Sequence, residues 1–311
     1  MKEEVYIVLL NYNGASDTMA CIHSLLQLQT ASSFKIVVVD NSETMNNFEL
    51  LQQFAFENNL RSISFIEENQ STYQNEELIL IKSRKNQGFA AGNNIGIRFS
   101  LQQKNCAYLW ILNNDTVVTP NSLEALLSYH KAHPTAILGS KLLYFNQPDT
   151  IQAVGGIFNE RYFISEHVGE GLPKDTQKKS LPKIDYPIGA AIFVSRLFIE
   201  KVGLLNETYF LYYEELDWVK SAKKFGFIAD WCEESVVYHK EGASIGSSYK
   251  NEKSYFSEIE LFKSRKKFVA NHYRLNMRFY FSSILLILNR LRKGKFKLAN
   301  ALLKITINDL K

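Results

Sequence analysis

The run Tyr108-Leu-Trp-Ile-Leu-Asn-Asn-Asp115-Thr-Val-Val ends an apolar, strand-like stretch in two amides and a carboxylate, and the chain then turns at Pro120. In an open α/β sheet, ligands bind at the carboxyl ends of the strands. An Asp at that rim is a hard oxygen donor suited to holding a divalent cation against a diphosphate. An Asp that only caps a turn looks the same in sequence, so its company decides. Asp40 closes Val-Val-Val-Asp40-Asn-Ser at an equivalent position, where a carboxylate accepts hydrogen bonds from a nucleobase imide or a ribose hydroxyl or caps a turn. Asn86-Gln-Gly88-Phe-Ala-Ala-Gly92-Asn-Asn94 opens a helix with small residues. Backbone N–H groups and the helix dipole there favour a diphosphate, although small residues at a helix start also permit close packing. The spacing is neither GxGxxG nor GxxxxGK[ST], which sets aside the common dinucleotide fold and the P-loop.

Two further groups carry proton chemistry. Phe210-Leu-Tyr-Tyr-Glu214-Glu215-Leu-Asp217-Trp218 places three carboxylates within four positions, after an aromatic run and at the start of a helix. Helix capping accounts for one or two of them at up to about 1 kcal/mol each. Three acids among aromatic rings favour desolvation and a raised pKa, which suits a general base. His239 follows the apolar stretch Val236-Val-Tyr and precedes Lys-Glu-Gly242-Ala-Ser244. Such a histidine is either structural or a ligand that completes a cation's shell with Asp115.

Elements that position these residues are legible as alternating strands and helices. Val5–Leu10, Lys35–Val39, Ser62–Ile66, Leu78–Ile81 and Tyr108–Leu112 read as strands, with Asp17–Leu28, 88–103 and Ser122–Ala132 as helices. That alternation predicts an α/β fold with a doubly wound, mostly parallel sheet flanked by helices. Leu142–Tyr186 reads as strands and a mobile loop over one sheet face. Regular structure resumes at Ile188–Val194, with helices at Arg196–Val202 and Glu214–Phe225.

At 311 residues with 46% hydrophobic and 22% charged residues, the chain is an ordinary folded protein of one large or two small domains. Cys21, Cys106 and Cys232 are scattered, against a disulfide framework or a zinc site and consistent with a reducing cytosol. The apolar run Val5–Leu10 is too short for an export signal. Leu261–Asn308 holds twelve Lys and Arg and no acid, while the rest carries 24 basic and 32 acidic residues. A basic tail on an acidic body fits anionic lipid or nucleic acid, and no nucleic-acid motif is present.

Taken in order, Leu10-Asn11-Tyr-Asn13, Val-Val-Asp40-Asn-Ser, the Asn86–Asn94 stretch, Asn113-Asn114-Asp115, Gly189-Ala190, Val202-Gly203, Glu-Glu-Leu-Asp217 and His239-x-x-Gly-x-Ser244 resemble the inverting family 2 glycosyltransferases. Within them the chain is most similar to the rhamnosyltransferase-type branch, enzymes of bacterial surface polysaccharides. The resemblance covers residues 4–250 and implies a GT-A fold, a nucleotide-diphospho-sugar donor (UDP- or dTDP-linked) and a divalent cation, Mg²⁺ or Mn²⁺. It implies that Asp40 binds the base and that Asn11, Asn86, Gly88, Gly92, Asn94, Asn113 and Asn114 serve the nucleotide. Asp115 and His239 then hold the metal, Glu215 is the base with Glu214 its neighbour, and Asp217 is held in reserve. Asn113 replaces the first acid of the DxD motif, and Glu215 is one methylene longer than the family's Asp.

The expected organisation is a catalytic domain over 1–250 and a basic amphipathic helical region over 251–311. Arg274–Lys297 mixes aromatic, aliphatic and basic residues in an apolar run too short to span a bilayer, which suits an interfacial helix on an anionic leaflet. Packing on the catalytic domain is the alternative. The whole describes a cytoplasmic enzyme, peripheral on the inner membrane, with a glycan or lipid-linked glycan as acceptor. Two other functions fit parts of the pattern: a non-catalytic binding module, favoured by Asn113, and a nucleotidyltransferase, which lacks its basic loop after the first strand.

Overall fold

The computed structural model describes residues 3–67, 75–240 and 254–308. Its first half winds β1 (Glu4–Asn11), α1 (Ala15–Leu25), β2 (Ser33–Asp40), α2 (Asn46–Glu57), β3 (Ser62–Ile66), β4 (Leu78–Lys82), α3 (Phe89–Gln102) and β5 (Cys106–Asn113). Then come β6 (Thr116–Val118), α4 (Ser122–Ala132), β7 (Ala136–Tyr144), β8 (Gln147–Ala153), β9 (Gly155–Asn159) and β10 (Ile164–Val168). The chain continues through β11 (Ala191–Ser195), α5 (Arg196–Val202), α6 (Glu214–Ala222) and β12 (Ile228–His239), and ends in α7 (Tyr255–His272), α8 (Met277–Arg292) and α9 (Phe296–Ile307).

The main sheet runs β3-β4-β2-β1-β5-β11-β7-β12-β6, with β8 on β7. The β1, β2, β3, β4 and β5 ladders are parallel, as is β7 with β12, while β11, β6 and β8 enter antiparallel. Side chains alternate across each strand, so β1 feeds two cores. Tyr6 and Val8 pack on the α3 face with Ile97, whereas Ile7 and Leu9 pack on the α1, α2 and α4 face with Ile22, Leu51 and Leu126.

Register sets the rim. Asn11 pairs with Asp40, Asp40 with Lys82, and Leu10 with Asn113. At the other end His239 pairs with Thr116 and Tyr144, which brings it beside the Asn113–Asp115 turn.

Several expectations are adjusted. The first helix begins at Ala15 and ends at Leu25, and α2 has no counterpart in the sequence reading. The 142–186 region is built of β8, the β9–β10 hairpin and a connection pinned by Lys178, whose ammonium bonds Tyr129 and Asp230. The division expected at residue 250 falls among residues outside the description. On its far side Phe268, Val269 and Phe279 join the main core beside Tyr213 and Phe158, and a small separate cluster forms from Phe262, Ile287, Leu298 and Leu302.

Candidate active site

One cleft of about 870 Å³ opens along the carboxyl rim of the sheet. Its floor includes Tyr12, Asn41, Asn86, Gly88 and the Asn113–Asp115 turn, and Glu214, Glu215 and His239 also line it.

Asp115 is buried, and its Oδ1 lies 3.2 Å from His239 Nε2. Burial alone would raise its carboxyl, but the imidazole beside it, and Lys240 beyond, hold it below the ordinary carboxylate range. Gln152 Oε1 lies 2.8 Å from His239 Nδ1. That contact orients the ring so that Nε2 faces the carboxylate. A carboxylate oxygen and an imidazole nitrogen converging on one point of the cleft are donors of the kind a divalent cation takes. Asn113 Nδ2 stands 3.4 Å from the same Nε2. Among the described residues no group of three His, Cys, Asp or Glu forms a fuller cage. Gly242 and Ser244 lie outside the described residues.

Asn114 reaches Thr18 Oγ1 at 3.0 Å, Gly14 O at 3.3 Å and Asn11 Oδ1 at 3.4 Å. Asn11 in turn donates to Asp40 Oδ1 at 2.8 Å, which also accepts the Ser42 hydroxyl at 2.6 Å. Lys82 Nζ stands 3.4 Å from Asp40 Oδ2. Asn11 and Asp40 are fully buried and lie beneath the cleft wall, not on it; the residues that line the cleft are their neighbours Tyr12, half-buried, and Asn41, buried. Their expected direct contact with a nucleotide is therefore revised: in this conformation their polar atoms brace the turn.

The Asn86–Asn94 stretch divides. Asn86 Oδ1 accepts from Asn41 Nδ2 at 2.8 Å and from Gly88 N at 3.0 Å, on the cleft wall. Gly88 has φ +96°, and a Cβ there would meet Phe210 O at 2.2 Å. Gly92 faces the sheet, where a Cβ would meet Leu10 Cδ1 at 2.5 Å, so it serves helix–strand packing and not a diphosphate. Asn94, on α3, is buried away from the cleft, where it accepts from Leu205 N at 3.1 Å and donates to Leu205 O at 2.8 Å. Neither Gly92 nor Asn94 lines the cleft. Gly92 seats α3 on β1, and Asn94 ties α3 to Leu205, upstream of the loop that delivers the acids.

That loop is strained. Tyr212 and Tyr213 adopt φ of 69° and 71°, a left-handed pair immediately before α6. Such conformations on bulky residues cost on the order of 1–3 kcal/mol each and persist only when surroundings fix them. Phe89 N donates to Phe210 O at 2.8 Å and the Ser264 hydroxyl to Leu211 O at 2.7 Å. The turn aims two acids into the cleft. Burial, and then the charge of Glu215, drive the Glu214 carboxyl well above the carboxylate range, and its Oε2 has no hydrogen-bond partner. Burial pushes Glu215 up to about 7, against an opposing backbone hydrogen bond. Glu215 lies over Gly189, whose ideal Cβ would be 3.8 Å from its Cδ. Asp217 points away. It accepts from Tyr209 Oη at 3.0 Å and meets His272 Nε2 at 2.7 Å, so the reserve base is corrected to a tie between α6 and α7.

Lys82, Gln152, Arg265 and His272 escaped the sequence reading. A lysine ending the apolar strand Leu78–Lys82 was a visible signal; the other three have none, because their partners are remote in the chain.

The mixed, mostly parallel sheet flanked by helices, with its rim turn carrying Asn-Asn-Asp, is a GT-A glycosyltransferase fold. The chain belongs to glycosyl transferase family 2, whose model matches residues 6–203. Among curated proteins it is similar to the low-salt glycan biosynthesis hexosyltransferase Agl10 of Haloferax volcanii, 23% identical over 246 residues, which cover 78% of this chain and 68% of that one. Among solved structures, GalNAc-T7 with UDP, GalNAc and Mn²⁺ superposes with a TM-score of 0.61 at 16% identity, over 86% of this chain and 48% of that one. The chain thus spans about half the length of that protein. The mannosyltransferase PcManGT of Pyrobaculum calidifontis, in complex with GDP-Man and Mn²⁺, gives 0.56 at 12% identity over 100% and 77%.

Proposed function

We propose that this glycosyltransferase moves a hexose, rhamnose or another, from a UDP- or dTDP-linked donor to a hydroxyl of a glycan with inversion at the anomeric carbon. The carrying observation is the juxtaposition in one cleft of Asp115 with His239 and of Glu215 with a pKa near 7. Glu215 takes the proton of the acceptor hydroxyl, whose oxygen attacks the anomeric carbon as the bond to the nucleotide diphosphate breaks. Glu214 stays protonated beside it, sparing the base a second negative charge. Asp115 and His239 would hold a Mg²⁺ or Mn²⁺ ion, which when bound supplies positive charge to a departing diphosphate. Tyr12 and Asn41 offer the nucleoside contacts, with Asp40 and Asn11 orienting them from beneath.

The C-terminal helices support an interfacial role at an anionic membrane surface. Among the described residues no helix is long and apolar enough to cross a membrane. On α8, Phe279, Ser283 and Ile287 face inward, while Met277, Phe281, Ile284, Leu288 and Leu291 form an exposed apolar stripe. Basic residues flank it.

Thermal-shift titration with UDP-, dTDP- and GDP-sugars, with and without Mn²⁺ or Mg²⁺, tests the donor site, because a ligand specific to the native state raises Tm. A cation-dependent rise with one nucleotide, abolished by Asp115→Ala, supports the reading. No rise with any nucleotide from folded protein sinks it.

A further inference from the structure

The main sheet has two unlike edges. At one, β6 is only three residues long. At the other, β3 pairs with β4 alone among the described residues, in unbroken register from Ser62 to Ile66. Folded proteins blunt such edges with lysines, prolines or bulges. The strand Ser-Ile-Ser-Phe-Ile has none of these.

Its backbone groups are sorted by side. Arg61 O accepts from Glu77 N at 2.8 Å, and Glu67 N donates to Lys82 O at 2.9 Å, so the odd-numbered residues bond inward to β4. Alternation along the strand then turns the N–H and C=O groups of Ser62, Ser64 and Ile66 outward. Over the same strand, Gln52 Nε2 donates to Ser64 Oγ at 2.6 Å, which sets that flank of α2 above β3. Phe56 follows one turn later on the same flank, towards the start of the strand. It is 83% exposed, more than any other large apolar side chain among the described residues, and Ile66 is 53% exposed.

We infer that β3 is the joint between two copies of this chain, paired antiparallel about a two-fold axis through Ser64. Ser64 then faces Ser64 of the second copy, and Ser62 faces Ile66, so every outward residue enters a hydrogen-bonded pair. A centre at Ile63 or Phe65 instead leaves one of the three opposite a residue beyond the strand. The Ser64 centre also sets Arg61 opposite Glu67 at both flanks and brings Phe56 beside Ile66 of the second copy. Arg61 and Glu67 each hold one exposed contact already, with Glu77 at 3.4 Å and with Arg84 N at 3.2 Å. The cross-pair therefore fixes register more than it adds affinity. The arrangement is self-complementary and closes as a dimer. It leaves both clefts open, because the carboxyl rims of the two sheets point opposite ways.

Sedimentation velocity of the full-length protein over a concentration series, with cysteines placed along the edge, tests the joint. A monomer–dimer equilibrium is expected. Ser64→Pro shifts it at least tenfold towards monomer and leaves the fold intact, since it removes an outward N–H and no bond to β4. Under mild oxidation Ser64→Cys crosslinks to its own copy, because a hydrogen-bonded pair stands ~5.5 Å apart at Cα, within disulfide reach. Ser62→Cys alone does not crosslink, and Ser62→Cys with Ile66→Cys does. The native Cys21, Cys106 and Cys232 are buried and take no part. Phe281→Ser with Leu288→Ser, on the exposed stripe of α8, leaves the dimer unchanged. Monomer throughout the series, association indifferent to Ser64→Pro, equal crosslinking through positions 62 and 64, or loss only in the α8 pair overturns the joint.

Discussion

The two ends of the cleft use carboxylates in opposite ways. On the sheet rim, Asp40 and Asp115 are surrounded by donors: Asn11, Ser42 and Lys82 around the first, His239 and Lys240 around the second. On the loop side, Glu214 and Glu215 sit beside rings and glycine with few donors, and both are pushed up. Asp115 is held as an anion, suited to a cation, while Asp40 is built into the hydrogen bonds of the rim. The loop acids are destabilised as anions, suited to taking a proton. One fold thereby separates binding from proton transfer by environment alone.

Breaking the loop side should have the largest effect. Glu215→Gln is expected to reduce transfer by about 10³-fold or more while donor binding persists, since a positioned base contributes ~10²–10⁴-fold. Steady-state turnover and nucleotide thermal shifts, measured on one preparation, check this; near-normal turnover would reassign the base.

Gly88→Ala attacks the hinge between the two ends. Its φ of +96° and the 2.2 Å approach to Phe210 O leave no room for a methyl group. The expected loss is at least ~2 kcal/mol of stability, read by urea unfolding, with the activity of the remaining folded protein also reduced.

The comparison sharpens through pH. Glu215 carries a folded pKa of about 7 against 4.5 in the unfolded chain. Its proton is therefore held more tightly in the native state, and the stability that Glu215 contributes falls as pH rises from about 4.5 to about 7, in addition to the fall that Glu214 causes. Glu215→Gln should remove that contribution, leaving the slope due to Glu214, and exceed the wild type at pH 8 by on the order of 3 kcal/mol. Equal stability of the two proteins at pH 8 would remove the desolvation argument.

A smaller effect is expected from His272→Gln, which loosens Asp217 and thereby the first turn of α6. Transfer should drop ~10-fold, about 1.4 kcal/mol, with the acid limb of the pH–rate profile displaced. A change in Tm with an unmoved limb would make His272 structural only.

Much of the rim was legible in sequence. Parallel strands buried on both faces read as apolar runs, so Asp40 and Asp115 announced themselves where those runs stopped. The acid cluster was equally visible, because three carboxylates after four aromatic residues break any simple pattern. What sequence did not resolve is which way each side chain faces. Asp217 and Glu214 lie three apart, yet helical rotation and the strained Tyr212–Tyr213 pair send one to His272 and the other into the cleft. Gly92 and Asn94 follow the same logic: helix phase turns them onto β1 and onto Leu205, while Asn86 and Gly88, before the helix, stay on the wall. The tail's sharing of the core was hidden too, since Arg265 and Phe268 find their partners about a hundred residues back, at Phe163 and Phe158.

Carbon-13 NMR titration of the glutamate carboxyls in the wild type, Glu214→Gln and Glu215→Gln tests the central claim without any substrate. The account predicts one resonance titrating near 7 that vanishes in Glu215→Gln. It predicts a second, absent from Glu214→Gln, that remains protonated through that range. Both carboxyls titrating together near 4.5 would contradict it.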